Sequence, residues 1–140
     1  MPVIGYNIQS VSFEKKVVAV PGGQIEVKIS PTITELRLGE MMTPNGKISG
    51  IEVLFNFEVE YKPDIARASV KGSLLYLPPK REMIDNILSA WEDEKKIDPV
   101  LMVEVANFLT TEVSPMLMVV EKEMRLPYHL PLPRAELKRQ

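Results

Sequence analysis

The chain of 140 residues contains no cysteine and only one histidine, His129. The lack of cysteine excludes disulfide bonds and thiolate metal sites. It suits a reducing compartment, and equally a hot or merely cysteine-poor cytosol. A single histidine without clustered carboxylates at ligand spacing does not build a zinc site. We therefore expect no metal and no cofactor, and we interpret His129 as a packed structural ring rather than a catalytic base.

The sequence also has no strong excess of positive or negative charge and no long apolar run. The 17 basic residues nearly balance the 19 acidic ones, which leaves a formal net charge of −2. Proteins that bind nucleic acid usually carry an excess of basic residues, which this chain lacks. No apolar stretch approaches the length that crosses a bilayer, and the N-terminus has no signal-peptide pattern. The composition predicts one soluble, cytoplasmic domain spanning 1–140, with no nucleic-acid partner and no membrane insertion.

Catalytic motifs are missing as well. No serine lies in a nucleophile elbow, and Gly22-Gly23 precedes a strand pattern rather than the helix of a phosphate loop. Glu58 and Glu60 form an acidic pair, yet they fall on the solvent side of one predicted strand, where solvated charges are the usual finding. We therefore expect no enzyme activity, and an enzyme using Glu58 and Glu60 is the last of three hypotheses.

The most regular pattern in the chain runs over residues 50–76. Large apolar residues occupy the odd positions from 51 to 61, and four of the five even positions between them are polar or charged. This period of two is typical of a strand with one face on a core and one in water. Beyond Lys62-Pro63-Asp64 the alternation resumes, and Pro-Asp suits a chain reversal. The pattern predicts a long antiparallel hairpin.

Two more strands precede this hairpin. The four predicted strands cover residues 4–20, 25–38, 48–61 and 65–77. Shifts of phase in the first two require a bulge near Gln9-Ser10 and an irregularity around Thr34-Glu35. Residues 39–50 are interpreted as a turn-rich connection, in which Asn45-Gly46 is a strong hairpin signal.

From Pro78 onward the spacing of the apolar residues becomes helical. One stripe carries Met83, Ile84, Ile87, Leu88 and Trp91. Asp98-Pro99 and Ser114-Pro115 each pair a capping residue with a proline. We predict that a second helix begins at the first pair, and that either a third helix ending near residue 125 or a sharp kink follows the second pair. The prolines after residue 126 predict an extended segment. The fold class is therefore α+β, a four-stranded antiparallel sheet followed by two or three C-terminal helices packed on one face.

The chain has more apolar surface than this arrangement covers. Eight methionines are present, and methionine serves either as core filler or on surfaces that accept varied apolar partners. Leu54, Leu75 and Leu77 lie on the side of the sheet opposite its main apolar row. A second copy of the chain is the simplest cover, so we expect a homo-oligomer, either a dimer or a tetramer.

Several segments carry a resemblance to a known family. They are residues 8–16 (IQSVSFEKK), 27–40 (VKISPTITELRLGE), 50–61 (GIEVLFNFEVEY), 66–77 (ARASVKGSLLYL) and 114–132, which runs from a helix into LPYHLPLP. In order and pattern these segments resemble the SecB-like export chaperones, with four long antiparallel strands followed by helices. The resemblance implies a dimer of dimers that holds unfolded chains in apolar grooves. The zinc-binding tail by which that family docks on a translocation motor has no match here.

The first hypothesis is therefore an ATP-independent chaperone that binds unfolded or extended polypeptides by apolar burial and strand addition. The second is a structural or assembly protein, in which the same apolar surface is a permanent interface between copies. The candidate client-binding residues are Met41, Met42, Leu54, Leu75, Leu77 and Met102.

Overall fold

A computed structural model describes residues 3–17, 25–130, 135 and 137. It contains four strands followed by three helices, which confirms the predicted α+β class. The elements are β1 (Val3–Lys15), β2 (Glu26–Thr43), β3 (Gly46–Lys62), β4 (Ala66–Tyr76), α1 (Met83–Glu94), α2 (Pro99–Glu112) and α3 (Ser114–Glu123). The first strand was predicted to continue to residue 20, but β1 ends at Lys15 and residues 16–17 are not in a strand. Residues 18–20 lie outside the described residues, as do positions 131–134 of the tail.

The strands form one antiparallel sheet in the order β1-β4-β3-β2. Hairpins join β2 to β3 and β3 to β4, whereas β1 pairs with β4 on the far side. In the described part of the chain, β1 and β2 are therefore the two edge strands. Each leaves one row of backbone N–H and C=O groups without a strand partner.

The two hairpin turns differ in how well the sequence predicts them. The turn after Lys62 is confirmed, and it covers residues 63–65. The long connection predicted over residues 39–50 is wrong, because β2 continues to Thr43 and β3 starts at Gly46, with only Pro44-Asn45 between them. Gly46 takes a positive φ of 118° and its carbonyl accepts from the Thr43 hydroxyl at 2.7 Å. Backbone pairing continues here although the apolar alternation stops, because ladder hydrogen bonds do not depend on side-chain type.

Both predicted irregularities are present in the sheet. The register of β1 against β4 shifts between Ile8 and Ser10, and that of β2 against β3 shifts between Ile33 and Glu35. A further shift follows Val3 and was not predicted. Each shift adds one residue to a strand and returns the apolar residues to the buried face.

One face of the sheet, called the core face here, is buried beneath the helices. It carries the odd positions of β3 from Ile51 to Tyr61 and the even positions of β4, which are almost completely buried. Ile84 and Ile87 of α1 join the same apolar cluster as Leu101 of α2. The opposite side of the sheet is called the outer face.

A polar residue followed by proline stands at the start of both α2 and α3, but only the one before α2 acts as a helix cap. Asp98 caps α2 as predicted, since its carboxylate accepts from the backbone N–H of Leu101 at 3.1 Å. Ser114 does not act as a cap for α3, although Pro115 follows it in the same way. Its hydroxyl contacts the His129 ring instead. The segment from Leu126 to Leu130 is not helical, in agreement with the prediction.

Candidate functional site

The outer face of the sheet is polar over most of its area. Arg37 donates two hydrogen bonds to Glu52, of 3.1 Å from Nε and 2.9 Å from Nη2. This hydrogen bonding lowers the pKa of Glu52 below its ordinary value. Arg67 donates to Glu58 at 2.8 Å. The carboxylate of Glu58 is thus engaged in ordinary surface pairing.

At one end of the outer face, apolar side chains lie on glycine backbone. A Cβ atom at Gly39 would lie 2.8 Å from Cδ1 of Leu75, and one at Gly50 would lie 3.0 Å from Cδ2 of Leu77. Those distances are shorter than ordinary contact, so a Cβ atom at either position would displace the leucine that lies there. The leucines therefore reach across neighbouring strands and lie flat on the sheet.

Two residues of the β2–β3 hairpin complete this group. Met41 and Ile48 are directly opposite each other on β2 and β3. The end of the Met41 side chain reaches within 3.9 Å of the Cβ position of Gly5, on the other edge strand. We call Met41, Ile48, Leu75 and Leu77 the outer-face cluster. Its members are half-buried except for Met41, which is 39% exposed.

The remaining predicted residues fall in different places. Leu54 shares the outer face but pairs with Glu35 and Ser73, in the next row of the sheet. Met42 projects from the opposite side of the hairpin and is 71% exposed. Met102 packs against the core from α2. The structure thus brings together Met41, Leu75 and Leu77, keeps Leu54 and Met42 nearby on the sheet, and separates Met102 from them.

A second constellation was not predicted from the sequence. The imidazole of His129 lies between Ser114 and Glu121. These two residues are near opposite ends of α3, and both are completely buried. Nε2 is 2.8 Å from the Ser114 hydroxyl oxygen, and Nδ1 is 2.8 and 3.0 Å from the two carboxylate oxygens of Glu121. The backbone N–H of His129 also donates to Glu121 at 3.1 Å. We call these three residues the buried triad.

The buried triad has the connectivity of a serine hydrolase triad but not its accessibility. A nucleophile must reach a substrate carbonyl, and the hydroxyl of Ser114 is sealed inside the protein. Phe57 of β3 closes another side, with its ring edge-on to the imidazole at 6.2 Å between centroids. In this conformation the triad supplies hydrogen bonds to a buried carboxylate, and the interpretation of His129 as a structural ring agrees with this geometry.

A signal for the triad does exist in the sequence. Ser114, Leu117 and Glu121 are spaced three and four residues apart, which puts two polar residues on the buried stripe of α3. A buried polar residue needs a partner, and the only histidine follows eight residues after Glu121. The prediction of Ser114 as a cap concealed this pattern.

Within residues 3–17 and 25–130, no group of three or more histidine or carboxylate side chains is arranged to hold a metal ion. No single helix among the described residues is long and apolar enough to span a membrane, although the bent pair α2 and α3 meets that requirement jointly.

Comparison with known proteins found no relative. Neither a scan against models of protein families nor searches of curated proteins and of solved structures returned a match to this chain.

Proposed function

We propose that this chain is an ATP-independent, cytoplasmic chaperone that holds unfolded or extended polypeptides against an apolar surface. The observation that carries the proposal is the outer-face cluster together with exposed Met42 at the end of the β2–β3 hairpin. Methionine side chains are flexible and polarizable, so they accommodate varied apolar partners. The SecB-like resemblance of the sequence supports the same function.

The edge of β2 supplies the second part of the binding mode. Between the irregularity at Glu35 and the end of the strand at Thr43, β2 pairs with β3 on one side, and its other side has no strand partner within the described residues. An extended polypeptide adds to such an edge through backbone hydrogen bonds, while alternate side chains enter apolar sites. Pro31 interrupts the earlier part of the same edge, so strand addition is favoured near Met41.

The proposal is tested by the aggregation of an unfolded model protein, followed by light scattering without nucleotide. We expect suppression at a near-stoichiometric ratio. Met41→Lys combined with Met42→Lys should weaken client binding by about tenfold or more, because full burial of one such side chain contributes about 1.5–3 kcal/mol.

The matched control is Val119→Lys, which removes an exposed apolar residue from α3 rather than from the sheet. It should leave suppression unchanged. Aggregation that proceeds at the same rate with and without the wild-type protein would refute chaperone activity. Equal loss in both variants would refute the assignment to the hairpin.

A second candidate function is a structural or assembly protein, and one observation favours it. The exposed residues of α2 before Glu112 are uncharged, and two of them, Val100 and Val103, are apolar, which suits a permanent interface between copies of the chain. Once it is oligomeric, an assembly protein should bind little of a dye that fluoresces on apolar surfaces, and it should not delay aggregation. A chaperone should bind the dye and should delay aggregation.

A further inference from the structure

A small pocket opens where β4 ends and the chain turns towards α1. The last residue of β4, Tyr76, pairs with Ile51, whereas β3 begins five residues earlier, at Gly46. Residues 46–50 therefore pair with β2 on one side and have no strand partner on the other within the described part of the chain. Pro78-Pro79 do not continue the ladder, because proline has no backbone N–H to donate. The gap left beside β3 is a pocket of about 270 Å³.

The walls of this pocket are apolar and continue the outer-face cluster. Ile48 and Leu77, two members of that cluster, border the pocket together with Pro78 and with Ile84 of α1. Met41, a third member, lies directly opposite Ile48 in the β2–β3 ladder. The pocket is therefore an extension of the surface that we assign to client polypeptides.

Two basic side chains border the same pocket, Lys47 from β3 and Arg81 from the turn before α1. None of the described residues that border it is acidic. Nζ of Lys47 is 3.7 Å from a carboxylate oxygen of Glu40, and these side chains are 65% and 55% exposed. An exposed pair of that length contributes little free energy, so an incoming carboxylate replaces it at small cost. Arg81 forms no salt bridge within the described residues.

We propose that this pocket binds an acidic side chain of an extended client polypeptide, while neighbouring apolar residues of the client lie on the outer-face cluster. The inference rests on the proposed chaperone function, and it adds a preference for segments in which glutamate or aspartate adjoins apolar residues. Lys47 and Arg81 come from different elements to one small pocket, so a carboxylate held there accepts charge-assisted hydrogen bonds. A membrane with anionic lipids fits less well, because binding to it ordinarily takes a cluster of four or more basic residues.

The preference is expected to be modest, because both cations are exposed. Exposed ion pairs contribute little each, so two of them should favour an acidic segment roughly three- to tenfold over the same segment with an amide. The preference should shrink in 1 M salt, where screening shortens the reach of a charge to about 3 Å.

Fluorescence anisotropy with three labelled peptides tests the preference. Each peptide is an extended apolar segment whose ends are acetylated and amidated, so that no terminal charge competes. The three differ only in a central glutamate, glutamine or lysine. The wild-type protein should bind the glutamate peptide most tightly and the lysine peptide most weakly.

Two double variants assign the preference to this pocket. Lys47→Met combined with Arg81→Met should bind the glutamate and glutamine peptides equally. The matched control is Lys28→Met combined with Lys62→Met, which removes two exposed lysines near the other end of the sheet. It changes the net charge by the same amount and should keep the preference. Circular dichroism should show that both variants are folded.

The outcomes separate this inference from the proposed function. Equal binding of the three peptides by the wild type, or tightest binding of the lysine peptide, would overturn the acidic preference and leave the chaperone proposal standing. If no peptide binds, both are overturned. A preference that survives in the Lys47 and Arg81 variant, or that the control variant also loses, would overturn the assignment to this pocket. So would phosphatidylserine vesicles that bind the wild type but not that variant, because the two cations would then serve a membrane.

Discussion

The substitution His129→Phe probes how the chain keeps a carboxylate inside its core. Phenylalanine retains a ring beside Phe57 but removes both nitrogens of the imidazole. Glu121 would then lose its contact with the ring Nδ1, which is 2.8 Å long in the wild type. It would keep the hydrogen bond from the backbone N–H of residue 129, at 3.1 Å. Breaking a buried pair by removing one partner costs about 3–5 kcal/mol of the free energy of unfolding.

Two further variants separate the contributions within the triad. Ser114→Ala removes a single hydrogen bond to Nε2, of 2.8 Å, and should cost about 1–3 kcal/mol. Replacing both members of the pair, with Glu121→Met and His129→Phe together, leaves no buried charge. The double variant should therefore be more stable than the sum of the two single changes predicts, since an apolar pair of similar volume is often neutral.

Urea unfolding at equilibrium measures the wild type, the double variant and the single variants His129→Phe, Ser114→Ala and Glu121→Met. Trp91, the only tryptophan, is the fluorescent reporter. A free energy of unfolding for His129→Phe within about 1 kcal/mol of the wild type would refute the reasoning. Additivity of the two single changes would refute it equally, because residues that share a hydrogen-bond network are expected to couple.

Two more predictions concern the sheet. Gly72→Ala should lower the free energy of unfolding by about 2 kcal/mol or more in the same urea assay, because its Cβ would collide with the backbone oxygen of Asn7. Gly5→Ala should be nearly neutral, since the nearest atom to its Cβ is 3.9 Å away, and equal effects would refute the packing argument. Arg37→Met should raise the pKa of Glu52 towards its ordinary value in an NMR titration, because the hydrogen bond from Arg37 is the main cause of the lowering. The pair is partly exposed, so the stability difference should stay below about 1 kcal/mol at neutral pH. Because the folded-state pKa is lowered, that difference should disappear as the pH falls from the ordinary glutamate range through the lowered value.

Several elements follow from local patterns in the chain. The alternation in β3 predicts which side of the strand is buried, because a strand in a one-sided sheet must separate apolar from polar residues. Shifts of phase predicted the bulges beside Ile8 and Ile33 for the same reason. The cap at Asp98 is equally local, since the carboxylate and the N–H it accepts from are three residues apart.

Local patterns were insufficient where the partner of a residue is distant. Ser114 has the same neighbour as Asp98, a following proline, yet its partner is a histidine 15 residues away. The outer-face cluster depends on Gly39, which lies two strands away from Leu75 in the sheet. No alternation within one strand reports such a contact.

The presence of the four strands, the faces of the sheet and the starts of α2 and α3 were thus already determined by the order of apolar and polar residues, whereas the end of β1 and the turn between β2 and β3 were not. Each of these properties depends on neighbours within a few positions, where backbone geometry restricts the alternatives. The assembly of the buried triad and of the outer-face cluster depended on the folded chain. The triad joins α3 to the segment after it, and the cluster joins residues of three strands. Their contacts therefore arise only when the strands pair and the segment after α3 packs against Phe57.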